Sequence, residues 1–228
     1  MMTKLSFLIS IVSLLTFSAS MAQQASATSP NVASKTSAKD TKTAGSTTSD
    51  VEGSPFLDDN FVEGEIYVSS KRTVVPVRYN VFQDWIEYQQ GGQTLVLEPS
   101  KTIEKVRIGD NTLVVEKFEF QGKSKFGYLT LLDTGKVILM SKKVVRYIPV
   151  QKGRALDGTD LPARYAKSPD VYFYKIGDGS LQEIDNLKSL IASFPDKQEE
   201  LKQYAKKEKI SVKKEQELIQ LMRYYSTL

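Results

Sequence analysis

Between Phe61 and Tyr147 apolar and polar residues come in short runs, each closed by a turn signal. The densest stretch is Phe61 to Tyr88, FVEGEIYVSSKRTVVPVRYNVFQDWIEY. It reads as three strands. Glu63 to Val68 alternates charged and apolar residues, and Ser69-Ser70-Lys71-Arg72 turns the chain. Thr73 to Phe82 is rich in β-branched and aromatic residues, and Gln83-Asp84 turns into Trp85-Ile86-Glu87-Tyr88. Such residues fit a pleated, half-buried surface, and period two sorts them onto two faces. Pro76 cannot donate to a ladder, so its position should be an edge, a bulge or a strand start.

The rhythm continues. Gln90-Gly91-Gly92 separates Trp85–Gln89 from Gln93–Leu97, and Glu98-Pro99-Ser100 leads to Ile103–Ile108. Gly109-Asp110-Asn111 is a short-hairpin signal into Leu113–Phe120. Gln121-Gly122-Lys123 turns into Phe126–Leu132, and Asp133-Thr134-Gly135-Lys136 into Val137–Tyr147. Strands joined by turns this short leave no room for crossover helices, so the sheet should be antiparallel. Ile148 to Asp170, with three prolines and two glycines, breaks the rhythm and reads as a long surface excursion carrying Arg154 and Arg164. Val171–Tyr174 resumes a strand, and Gly177-Asp178-Gly179-Ser180 turns it into Leu181–Ile184.

The period then becomes helical. Leu187, Leu190, Ile191 and Phe194 fall on one stripe, with Asp185 or Asn186 as cap. Asp196-Lys197-Gln198-Glu199 has the form of a capping box for a helix burying Leu201, Tyr204 and Ala205. Ser211 can cap a third, with Leu218, Leu221, Met222 and Tyr225 as its stripe. The fold class expected is mainly β with α: an antiparallel β-sandwich or partly open barrel over 57–185, with a packed C-terminal helical subdomain over 186–228.

The N-terminal segments lack this patterning. Met1 to Ala22 has the parts of a secretory signal: Lys4, an apolar run from Leu5 to Phe17, and small residues at Ser20 and Ala22. Residues 23–56 are mostly Ser, Thr, Ala and Lys, and read as a disordered linker. The chain is therefore expected to be exported, to the periplasm, the outer-membrane periphery or beyond, with no transmembrane span after cleavage. Cys is absent, which excludes a disulfide framework, so stability must come from an ordinary core.

Charge and chemistry narrow the function. The chain of 228 residues carries a formal net charge of +4. Leu57–Asp185 is neutral, and the excess sits at Lys4 and in the helical tail. This is not the dense basic patch of a nucleic-acid binder. There is no His, which removes His-dependent nucleophilic catalysis and imidazole metal sites. Carboxylate pairs such as Asp84 with Glu87, or Glu63 with Glu65, read more simply as turn and strand faces. No cofactor motif occurs. Arg78, Tyr79, Phe82 and Trp85 crowd one hairpin and, with Arg154 and Arg164, are the candidate binding residues.

The segments Gly53-Ser54-Pro55-Phe56-Leu57, Phe61-Val62-Glu63-Gly64-Glu65-Ile66-Tyr67 and Val77-Arg78-Tyr79-Asn80-Val81-Phe82, with the ending Tyr224-Tyr225-Ser226-Thr227-Leu228, carry a resemblance. In their order the chain resembles an uncharacterised family of secreted envelope proteins of Bacteroidetes. The resemblance implies an envelope location in a Gram-negative cell and implies no activity. The leading expectation is a non-enzymatic envelope module that binds a protein or glycan. A His-free carboxylate glycan hydrolase and a homo-oligomeric structural component are the alternatives.

Overall fold

The structure is a computed structural model that describes residues 51–153 and 158–228. The expected signal segment, nearly all of the linker and Arg154 lie outside the described residues. Among the described residues, ten strands form one antiparallel sheet: β1 (Val62–Val68), β2 (Lys71–Asn80), β3 (Trp85–Gln90), β4 (Gln93–Leu97), β5 (Ile103–Ile108), β6 (Asn111–Phe120), β7 (Lys123–Thr134), β8 (Val137–Ile148), β9 (Arg164–Ile176) and β10 (Gln182–Glu183). The order is β10-β9-β8-β7-β6-β5-β1-β2-β3-β4, so two meanders meet where β5 returns beside β1.

The sheet is rolled but not closed. The Tyr128 hydroxyl on β7 donates to the Leu97 carbonyl on β4 at 3.1 Å, although five strands separate β7 from β4 in the sheet order. Inside the roll, Ile66, Val77, Tyr79, Ile86, Val106, Leu113, Tyr128 and Val145 form one buried core. Edges remain at β4 and β10.

Local chemistry places the turns. Ser69 and Ser70 both take positive φ, so a two-residue turn joins β1 to β2, and Lys71 and Arg72 already lie in the strand. Gly91 and Gly92 do the same between β3 and β4. Pro76 pairs with Glu63 of β1, while the β2–β3 register begins only at Val77. The proline therefore stands just where one side of β2 loses its neighbour. Phe82, expected in β2, lies in the turn after it.

Two segments differ from the sequence reading. Glu52–Phe56, read as the end of the linker, is paired: Glu52 bridges to Arg164 of β9, and Phe56 to Asn80 at the end of β2. The Pro55 carbonyl also accepts from Val81 N–H at 2.9 Å. The last part of the expected excursion up to Asp170 is strand, because β9 begins at Arg164. Its prolines and basic residues hid it. Pro169 sits at a bulge, where the β8–β9 register shifts between Lys142 and Val144, so its missing N–H breaks no regular ladder.

Three helices follow: α1 (Leu187–Ala192), α2 (Gln198–Lys207) and α3 (Glu215–Thr227). Asn186 caps α1, its side chain accepting from Ser189 N–H at 2.9 Å. The capping box expected for α2 does not form: Lys197 occupies the cap position in left-handed geometry, without a side-chain bond. Ser211 does not cap α3 either. The cap residue is Lys214, and the Ser211 N–H instead donates to Glu217 at 2.7 Å. Leu190, Phe194, Leu201, Leu218, Met222 and Tyr225 pack on Val137, Leu139, Tyr172 and Tyr174 of the sheet. Tyr172 and Tyr174 are thus core. No helix among the described residues is long and apolar enough to cross a membrane.

Candidate binding site

The candidate residues of the first hairpin do not act together. Arg78 is fully engaged: its guanidinium lies 3.8 Å from the Phe56 ring centre and 4.4 Å from that of Phe61. It also pairs with Glu87 at 2.7 Å and donates to the Asp59 carbonyl at 2.9 Å. Arg78 thus pins the entering segment 56–61 onto β2 instead of facing a ligand. Trp85 is half-buried and its indole N–H donates to Glu87 at 3.3 Å. Glu87 is consequently a structural acceptor, and its carboxyl stays below the usual range because Arg78, Trp85 and Asn80 outweigh its partial burial.

Tyr79 is buried, at 2 % exposure, and cannot stack on a glycan. Its hydroxyl belongs to an internal lock. Lys142 of β8 reaches into the roll, with Nζ 2.5 Å from Asp84 Oδ1, 2.9 Å from the Tyr79 hydroxyl and 3.1 Å from the Tyr128 carbonyl. Three acceptors match the three protons of an ammonium. The Tyr79 hydroxyl donates to Asp84 at 2.7 Å, and Tyr128 N–H points to the same oxygen at 3.3 Å. Burial lowers the Lys142 pKa to about 8, against the pull of Asp84, so the group remains a cation at neutral pH. Burial, with Asp84 next in weight, pushes the Tyr79 and Tyr128 hydroxyls upward. Space for the Asp84 carboxylate exists because residue 127 is glycine: a Cβ there would stand 2.4 Å from Asp84 Oδ2. With all donors used, this group fastens β8 to the β2–β3 turn and has no free proton for chemistry.

Phe82 is different. It is 38 % exposed and meets Tyr165 of β9 at 5.2 Å and Tyr147 of β8 at 6.5 Å between ring centres. Tyr147 and Tyr165 are register partners, 5.4 Å apart. The chain thus brings Phe82 beside the start of β9, next to the candidate Arg164, whose backbone pairs with Glu52. The ring planes are tilted by 55° to 66°, so the three rings form a ridged apolar rim and not a flat platform.

A pocket of about 230 Å³ adjoins this rim at the β8–β9 bulge. Phe56, Leu57, Val81, Val144 and Val145 supply its apolar walls. Lys143, Lys167, Ser168 and Asp170 supply its polar groups. Lys143 is held by Asp170 at 2.6 Å and by Glu215 of α3 at 3.5 Å. These acceptors outweigh its burial and leave its pKa raised. The Ser168 hydroxyl is buried and, among the described residues, has no hydrogen-bond partner. Such a group carries a desolvation cost of about 1–3 kcal/mol. Sequence reasoning missed Tyr147, Tyr165 and Ser168, because only the pairing of β8 with β9 and the return of 52–57 bring them to Phe82.

A larger concavity of about 790 Å³ lies between β6 and the β9–β10 turn. Its walls mix Glu116, Glu119, Glu183 and Asp185 with Lys117 and Lys175. Partial burial, with Asp185 nearby, raises the Glu183 carboxyl above its usual value.

These features define a mainly β protein: a rolled, unclosed antiparallel sheet carrying three C-terminal helices, with a small aromatic-rimmed pocket. No protein-family model matches the chain, and neither a curated protein nor a solved structure matches it.

Proposed function

We propose that this is an exported, non-enzymatic binding module of a bacterial envelope, and that it holds a protein partner at the β8–β9 bulge. One observation carries the reading: a pocket with apolar walls and an unsatisfied Ser168 hydroxyl lies beside three mutually packed aromatic rings, of which Phe82 and Tyr147 are exposed and Tyr165 is half-buried. Pockets that combine apolar walls with a few convergent polar groups are the usual form of a binding site. The volume suits a single inserted side chain, and exposed aromatic clusters are the usual anchors of protein interfaces. The tilted rings favour a protein over a glycan, since a sugar face stacks best on a flat platform.

The partner's anchor is an apolar side chain bearing a hydrogen-bond acceptor for Ser168, with an acidic neighbour for Lys167. A photo-crosslinking residue at Tyr147, in cells expressing the full chain, tests this. One discrete adduct is expected, and it should disappear when Phe82→Ser is added. The same adduct from a probe at Val96, or its survival in the Phe82→Ser background, would refute the site.

A further inference from the structure

The second concavity of interest is independent of the bulge. α1 and α2 diverge around a groove of about 640 Å³. Its floor is aliphatic: Leu187 and Ile191 from α1, Ala205 from α2 and Ile210 beyond it. The rest of the lining is Lys188, Lys202, Lys206 and Lys209. No carboxylate, hydroxyl or amide side chain takes part. Lys202 makes an exposed pair with Glu199 at 3.3 Å. Among the described residues, Lys188, Lys206 and Lys209 have no ion pair. Lys206 lies in the last turn of α2, where the helix dipole favours a cation, so its charge there costs the fold nothing. The other three are not placed by that rule.

An aliphatic floor beneath four ammonium groups is complementary to one kind of ligand. It must present a hydrocarbon segment and an anionic head, and need no neutral hydrogen bonds. None of the four aliphatic residues is exposed, so the apolar surface is recessed below the lysines. A floor set below the lysines suits a single inserted chain better than a flat bilayer surface. We propose that the α1–α2 groove binds a monomeric fatty-acid-like amphiphile, with its carboxylate among Lys188, Lys202, Lys206 and Lys209 and its acyl chain on Leu187, Ile191, Ala205 and Ile210. Burial of methylenes away from water supplies affinity, and the lysines select the head group.

Calorimetry of the intact protein with dodecanoate, below its micelle concentration, tests the proposal. Dodecyltrimethylammonium carries the same tail with the opposite charge and is the control. Saturable binding of one dodecanoate per chain is expected, with none of the ammonium amphiphile. Lys202→Glu with Lys206→Glu should weaken it about tenfold, from rim charge pairs of modest individual strength. Lys202→Arg with Lys206→Arg should retain it. Both lysines are exposed, and circular dichroism checks that each variant folds. Absence of saturable binding, equal binding of the cationic amphiphile, or full affinity in the Glu variant would overturn the assignment. So would binding seen only with phosphatidylglycerol vesicles, since that would assign the lysines to a bilayer surface.

Discussion

Lys142 Nζ lies 2.5 Å from Asp84 Oδ1 across the interior of the rolled sheet, though 58 residues separate them in the chain. One partner comes from the middle of β8, the other from the turn between β2 and β3. Their contact holds the two sides of the roll at one register. Removing a charge from water costs several kcal/mol, and attraction repays that only when every proton finds an acceptor. Here each one does, with Tyr79 and the Tyr128 carbonyl completing the set.

This gives the first prediction. Asp84→Ala leaves a buried ammonium with two neutral acceptors and should destabilise the protein by about 3–5 kcal/mol. Lys142→Met alone strands the carboxylate, which is partly exposed and still bonded to Tyr79, and should cost less. The double variant Asp84→Ala, Lys142→Met should recover much of the loss. Urea unfolding of the four proteins measures the coupling. Additive losses would mean that the two groups do not act as a pair.

The lock also sets a pH dependence above neutrality. The folded Lys142 pKa, about 8, lies below its unfolded value of 10.5. Between these values the unfolded chain binds more protons, so stability rises with pH through this window. Other groups facing Lys142 are Asp84, Lys125 and the hydroxyls of Tyr79 and Tyr128. The tyrosines act with opposite sign: their folded pKa values lie above 10, so the stability they contribute is present below pH 10 and lost above it. The urea midpoint should therefore climb from pH 8 toward 10 and then fall. Lys142→Met should abolish the climb and keep the fall.

Much of the sheet could be read from sequence because its turns are chemically marked. Gly91-Gly92, Gly109 and Gly122 take positive φ, which few other residues accept, and the intervals between them are the strands. Positions β4 and β5 match the sequence reading residue for residue. The start of β9 was hidden because RYAKSPD is polar and contains a proline, and only the bulge makes that proline tolerable. Lys197 shows the converse for helix starts: a lysine in left-handed geometry has no sequence signature. Of the candidate site, Phe82 follows the pocket-lining Val81, whereas Arg78 and Tyr79 are consumed by the fold. Their partners Phe56, Phe61, Asp84 and Lys142 arrive through tertiary contacts that no local pattern encodes. Lys142 did leave one trace: a lysine pair, preceded by Ser141, interrupts the apolar residues of Val137–Val145.

Ser168 provides the test that separates binding from folding. Its buried hydroxyl lacks a partner, as does that of Ser141, which is fully buried beside Lys142 and lines no part of the bulge pocket. Replacing an unsatisfied buried hydroxyl with a methyl-sized group removes a desolvation cost of about 1 kcal/mol or more. Alanine's weaker strand preference offsets part of that gain. Both Ser168→Ala and Ser141→Ala should therefore raise Tm modestly. Their effects on partner capture by the Tyr147 probe should differ. Ser168→Ala alters a residue that lines the pocket and should reduce the adduct several-fold, while Ser141→Ala should leave it unchanged. If Ser168→Ala stabilised the protein and left capture intact, the pocket would be a packing defect and the partner's anchor would lie elsewhere on the aromatic rim.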